Sequence, residues 1–447
     1  MQQRALTSRH IQMIAIGGTI GTGFFIGSGA TIALAGPLGA LIGFSIVSLM
    51  VYSVMTSLGE LATHLPVSGS FTTFATKYVD PALGAALGYN YWIQWAISLP
   101  SELNAVGIIM AFWTPSVPSV AYSASILTIL VLINTRSVKG FGEVEFWLSL
   151  LKVVTIILFI ISGLFINFGW IGKEKRFIGF EYWNIDGKGP IKDGAIGIFN
   201  VFLMAFFTFG GTELVAITAG ETKDPKTTIP KAIKNTFWRI LLFFILSIFV
   251  IGLVIRHDDP SLLNSSNNND ITVAPFTLVF DRVGIPFAAN LMNIVIMTAI
   301  VSAGNSALYA SSRTLMTLAL EGKTSAMFKK VNKDGIPINA ILATAAVGCI
   351  SFLGIVLGEG VLFTLLINIT GISGIITWMS IALIHIRFRQ AMKKQRVDLS
   401  TLHYTAPLYP LGPIIAFVVG FGIIIAQGYA SYNQPNGLYH LILTYRN

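Results

Sequence analysis

Apolar residues fall in long blocks, separated by short segments that collect the polar and basic side chains. A helix that crosses a bilayer needs about 20 mostly apolar residues. Blocks of that kind lie at roughly 11–35, 37–63, 83–113, 118–134, 144–168, 194–219, 236–255, 285–312, 338–357, 360–385 and 411–430. Helices are expected because an isolated strand would leave its backbone groups unpaired in lipid. The pattern therefore predicts an all-α integral membrane protein with about eleven spans.

Two of these blocks carry glycine clusters where a helix should be continuous. The first contains Gly17-Gly18-Thr19-Ile20-Gly21-Thr22-Gly23, and the sixth contains Phe209-Gly210-Gly211-Thr212-Glu213. Glycine permits unwinding and close backbone approach. Four spans separate the two clusters, and four more follow the second before a last one at 411–430. This spacing predicts an inverted five-plus-five helix repeat with discontinuous first and sixth spans. The first repeat covers 11–168 and the second 194–385, with an extra span at 411–430. Residues 1–430 form one transmembrane domain, and 431–447 form a short tail.

Composition agrees with lipid as the solvent: 54% of residues are hydrophobic and only 11% charged, with a mean hydropathy of +0.73. The net charge of +9 does not indicate nucleic acid, because Lys and Arg gather at the ends of the apolar blocks. With a cytoplasmic N-terminus, the inside segments hold 20 of the 29 basic residues, as the positive-inside rule expects. Lys173, Lys175, Arg176, Lys188 and Lys192 are the exception, in an outside loop shared with Glu174, Glu181, Asp186 and Asp193. Asn264–Asp270 is a second polar outside loop. The one cysteine, Cys349, excludes an internal disulfide framework and is expected to pack within its apolar run.

Broken helices at membrane depth offer free N–H groups that can hold a carboxylate and free carbonyls that can hold an ammonium. An amino acid carries both. Thr19, Gly21, Thr22 and Gly23 are the candidates in the first span; Phe209, Gly210, Gly211 and Thr212 are those in the sixth. Small residues also serve close helix packing, which is the competing reading. Glu213 could accept a proton, meet the substrate's cationic end, or fix the unwound turn. Glu102 could attract a cationic side chain or bond a neighbouring helix, and Gln94, eight residues earlier, shares its helical face. Lys152 is the basic residue deep in a span. Its amine either gains and loses a proton during transport, without a sodium ion, or reaches back to the interface about 12 Å away. Ser302, Asn305, Ser306, Asn368 and Thr370 could line the same path or glue helices together. Glu60, at the end of the second span, reads as structural.

No enzyme constellation is present. His10, His64, His257, His385, His403 and His440 sit in loops or at span ends without metal-ligand spacing. No phosphate-cradling loop ends in Gly-Lys-Ser/Thr, which argues against ATP-driven transport. No cofactor and no metal is expected; the partners are an amino acid, protons and the bilayer.

Eight segments carry a resemblance: HIQMIAIGGTIGTGFFIGSG (10–29), MTSLGELATHLPVSGSFTTF (55–74), GYNYWIQWA (88–96), FGGTELVAITAGETKDP (209–225), FWRILLF (237–243), SAGNSALYASSR (302–313), LINITGISGIITW (366–378) and HIRFRQAM (385–392). From about Leu6 to about Gln427 the chain resembles the amino acid permease family of the amino acid–polyamine–organocation superfamily. Within it, the chain looks most like the bacterial lysine-specific and fungal basic amino acid permeases. The resemblance implies the inverted-repeat fold and proton-coupled uptake across the plasma membrane, here a bacterial inner membrane. It matches Lys152, within LSLLKVVTII, to the family's coupling lysine, and sets Gly21, Thr22, Gly23, Gly211, Thr212 and Glu213 at the substrate. Glu102 has an acidic counterpart in relatives, including permeases for aromatic substrates, and Gln94 replaces an asparagine of the lysine-specific group. Family members usually carry a twelfth span; the closing YNQPNGLYHLILTYRN is too short and polar to cross.

Overall fold

The computed structural model describes residues 13, 19–67, 69–114, 116–136, 138–172, 175–185, 189–217, 219, 222, 224–259, 262 and 274–432. Gly17 and Gly18 of the first glycine cluster, the 264–270 loop and residues 433–447 lie outside them. The described residues form helices and no strands. Seven helical stretches are long and apolar enough to cross a membrane: Gly27–His64, Gly142–Asn167, Gly194–Ile217, Pro286–Leu320, Ile338–Leu357, Glu359–Lys394 and Leu411–Tyr429; Ser119–Asn134 and Leu242–Val254 are shorter apolar helices.

Helix α1 (Thr22–Phe25) leads into α2 (Gly27–His64). After α3 (Ser70–Tyr78) comes α4 (Pro81–Met110), whose first turn is capped by the Asp80 carboxylate accepting from Ala82 N at 2.7 Å. Helices α5 (Ser119–Asn134) and α6 (Val138–Asn167) follow. Helix α7 (Gly194–Phe209) is separated from the one-turn α8 (Leu214–Ile217) by an unwound segment. Then come α9 (Pro225–Val254), α10 (Pro275–Arg282) and α11 (Pro286–Leu320). Helix α12 (Ile338–Gly348) passes through a tighter 3₁₀ stretch, Cys349–Leu353, into the one-turn α13 (Gly354–Leu357). Helices α14 (Glu359–Lys394) and α15 (Leu411–Tyr432) close the described chain. Cys349 corrects the sequence reading: it continues the outward face of Leu342 and Ala346 and is exposed on the outside of the bundle.

The hydrophobic pattern of α6 is inverted relative to a soluble helix. Glu145, Ser149 and Lys152 are completely buried, whereas Trp147, Leu151, Val154, Leu158, Ile161 and Phe165 form an exposed stripe. An outward apolar stripe of this kind is stable only against hydrocarbon. Inside the bundle, α4 packs chiefly on α11 and α14, and α2 on α7 and α9.

Helix α2 is two rods joined at Gly36, which has φ +73° and ψ 170°, a region open essentially to glycine alone. Pro37 then starts the second rod. The corner is pinned from outside: Lys192 N donates to Ala35 O at 2.8 Å, Leu38 N to Pro190 O at 3.0 Å, and Lys192 Nζ to Ala33 O at 2.8 Å. A Cβ at Gly36 would lie 2.6 Å from Pro190 O. Gly36→Ala is therefore expected to destabilise the protein by about 1–3 kcal/mol from backbone strain alone. Thermal unfolding in detergent checks this, and an unchanged midpoint would count against it.

At the other end of α2 a buried ionic knot ties three segments together. Glu60 accepts from Arg389 Nη2 at 2.7 Å and from Ala406 N at 2.6 Å. Arg389 Nε lies 2.5 Å and His385 Nε2 3.3 Å from its other oxygen.

Candidate functional site

The site is built where helices stop. Gly21 is extended (φ −128°, ψ −151°) and α1 begins at the next residue. Helix α7 ends at Phe209; Gly210 is again non-helical, and Gly211 has φ +98°, which favours glycine. Glu213 braces this second break: it accepts from Gly211 N at 3.2 Å, from Tyr91 Oη at 3.2 Å and from Trp378 Nε1 at 3.3 Å. One carboxylate thus holds the unwound turn to α4 and α14.

Between the two breaks lies a narrow cavity. Thr19, Gly21 and Gly23 form one wall and Phe206, Phe207 and Gly210 another. Helix α4 contributes Gln94, Trp95, Ser98 and Glu102, α11 contributes Ala303, and α14 contributes Thr370, Gly371, Gly374 and Trp378. Gln94, Ser98 and Glu102 recur every four residues, so their side chains descend one face of α4.

The missing side chains of the glycines make this space. A Cβ on Gly21 would come 2.9 Å from Ala303 Cβ and 3.3 Å from Glu102 Oε1, and one on Gly23 would come 2.6 Å from the Phe207 ring. Glu102 is buried. Thr22 Oγ1 donates to its Oε1 at 3.0 Å, and the Thr22 backbone N–H also points at the carboxylate. Glu102 Oε2 is buried with no hydrogen-bond partner among the described residues. Gln94 is held in place by Thr377 Oγ1, which donates to it at 3.2 Å, and Thr370 bonds its own helix, donating to Leu366 O at 2.9 Å.

Seven of the residues singled out in the sequence therefore meet at the cavity: Thr19, Gly21, Gly23, Gln94, Glu102, Gly210 and Thr370. The others stand behind its walls. Thr22 turns to Glu102. Phe209 packs its ring 4.8 Å from Phe244 and 6.0 Å from Phe44. Thr212 donates to Phe209 O at 3.3 Å, beside Gly211 and Glu213 in the braced turn. Asn305 accepts from Asn134 Nδ2 at 2.7 Å. Ser98 was legible from its spacing between Gln94 and Glu102. Trp95, Phe206, Phe207 and Trp378 were not, since aromatic residues abound in apolar spans.

Lys152 is completely buried and does not reach for the interface. Its Nζ donates to Ser302 Oγ on α11 at 2.8 Å, within electrostatic range of Glu145 and Glu102. Among the described residues, no cluster of three or more His, Cys, Asp or Glu could hold a metal ion.

Apolar helices around a partly polar cavity, with a buried carboxylate and amine beside it, define a multi-pass membrane carrier. The amino acid permease family profile matches residues 10–443. The chain is 46% identical to the lysine-specific permease of Escherichia coli (strain K12) over 96% of its own length and 87% of that protein. It is 47% identical to the lysine-specific permease of Lactococcus lactis subsp. cremoris (strain MG1363), over 95% and 84% respectively. The histidine permease of the same organism is 44% identical, over 95% and 88%. The chain belongs to the amino acid permease family. It is a transporter of amino acids and not an enzyme.

Proposed function

We propose that this permease is a proton-coupled importer of lysine or another cationic amino acid. The observation that carries the reading is Glu102 Oε2, a carboxylate oxygen buried beside the cavity with no donor among the described residues. Such a group needs a cation or a proton. A substrate's side-chain ammonium supplies the cation, with Thr22 holding the carboxylate in place. Gly21, Gly23 and Gly210, with Thr19, let the substrate's main-chain groups approach the exposed backbone of both breaks. Gln94 and Thr370 complete the polar lining, while Phe209, Gly211, Thr212, Glu213 and Asn305 shape the break behind it. Lys152 carries the coupling proton. The names of the bacterial lysine-specific relatives support the substrate class.

In this reading the chain makes about eleven spans in two inverted halves, 11–168 and 194–385, with an extra span at 411–430 and the tail 431–447 outside the transporter domain. Its N-terminus is cytoplasmic and it sits in the plasma membrane, a bacterial inner membrane.

Uptake of labelled lysine into proteoliposomes under an inward proton gradient tests the reading, with the common amino acids as competitors. The expected result is accumulation that collapses when the gradient is dissipated and that arginine or another cationic amino acid competes away. Robust uptake of a neutral or aromatic amino acid instead would reject the substrate class. Uptake that needs internal counter-substrate and ignores the gradient would make the protein an exchanger. Tight binding without flux would make it a sensor.

A further inference from the structure

Glu145 has no role in the reading above, yet it is completely buried on the helix that carries Lys152. Glu145, Ser149 and Lys152 are spaced four and three residues apart, so they share one face of α6. Ser302 on α11 stands between the two charged groups. Its hydroxyl oxygen accepts from Lys152 Nζ at 2.8 Å, and its own hydrogen is donated to Glu145 Oε1 in a close contact. Asn305, one turn along α11, lies beside the same carboxylate, with Asn134 of α5 bonded to its amide oxygen. Ser149 Oγ is 3.5 Å from Glu145 Oε1. Among the described residues, the charged groups that act on this region are Lys152 and Glu145 on α6 and Glu102 on α4.

We propose that Glu145 is the proton acceptor for Lys152, through Ser302, and the group that passes the proton toward the cytoplasm. The inference rests on the proton-coupled reading. When the carrier has released its substrate, the Lys152 ammonium gives a proton to Ser302 Oγ as Ser302 gives its hydroxyl hydrogen to the Glu145 carboxylate. The amine becomes neutral, the carboxylate becomes a carboxylic acid and the serine is unchanged, so one proton has moved and charge is conserved. The transfer neutralises Lys152 and Glu145 together, so neither is left as a lone ion by the loss of the other's charge. In the proposed orientation Glu145 is displaced from Lys152 toward the cytoplasmic end of α6 by seven residues, about 10 Å of helix. The hydroxyl bridge therefore gives the coupling proton a direction of exit that differs from the side of substrate admission.

Glu145→Gln keeps the shape and an acceptor for Ser302 but takes no proton. Counterflow, in which labelled lysine exchanges for internal lysine, lets the carrier return loaded and requires no proton release. The expected result in proteoliposomes is retained counterflow, with gradient-driven lysine uptake and lysine-induced internal acidification both reduced about 100-fold, the low end of what a positioned proton acceptor contributes. Undiminished gradient-driven uptake and acidification in the variant would overturn the relay. If Glu145→Gln loses counterflow as well, Ser302→Ala and Ser302→Thr decide: loss of coupled uptake in the alanine variant with recovery in threonine supports the relay, and an unimpaired alanine variant overturns it. Wild-type uptake that ignores the proton gradient would instead remove the coupled reading itself, a result separate from the relay's own failure.

Discussion

Glu102→Gln weakens binding of labelled lysine by about 30-fold to 4,000-fold. Glutamine matches glutamate in shape, and its amide oxygen still accepts from Thr22 Oγ1, which donates to Glu102 Oε1 at 3.0 Å. What disappears is the negative charge at Oε2, which has no hydrogen-bond partner among the described residues. Removing one member of a buried charge pair costs about 2–5 kcal/mol, and each 1.4 kcal/mol is tenfold in affinity. The position of the charge matters as much as its sign, because the carboxylate sits against Gly21 and beside Ala303, where nothing larger than a hydrogen fits on the glycine. Equilibrium binding in detergent measures the loss. An unchanged Kd for lysine would mean that Glu102 serves α1 alone, and the cationic specificity would have to be sought elsewhere.

Lys152→Ala abolishes gradient-driven accumulation while leaving much of the substrate binding. Lys152 does not line the cavity; its Nζ is spent on Ser302. If one proton accompanies each substrate and the membrane potential is clamped, a gradient of one pH unit supplies about 1.4 kcal/mol and sustains about tenfold accumulation. Without an amine to carry the proton, the inside-to-outside ratio falls to about one. Measured lysine ratios in proteoliposomes at a series of imposed gradients give the comparison directly. A variant that accumulates lysine as the native protein does would end the coupling role.

The parts of this molecule that could be read from the sequence are those where a span departs from its own background. Glycine clusters stand out among Leu, Ile and Phe, and Gly21, Gly210 and Gly211 do sit where helices are interrupted. A polar residue in an apolar run stands out equally, which is why Gln94, Glu102 and Lys152 were singled out. Glu145 escaped because it lies near the end of its run, where charged residues normally face water; only packing against α11 shows it to be buried. Helices α3 and α10 escaped because they are short and lie in segments that read as loops between spans, although their apolar faces are buried. The three roles open to Glu213 could not be separated by sequence, since its donors come from Tyr91 and Trp378, far away along the chain. Cys349 shows the converse limit: an apolar neighbourhood says that a residue avoids water, not whether it meets protein or lipid.

The Glu60, Arg389 and His385 contacts act as a rivet between the ends of α2 and α14. Removing one partner of a buried ionic contact of this sort costs about 3–5 kcal/mol, because the other charge is left uncompensated. These two rods are therefore clamped at one end by charge, whereas the breaks at Gly21 and at Gly210–Gly211 are held by the hydrogen bonds that Glu102 and Glu213 accept.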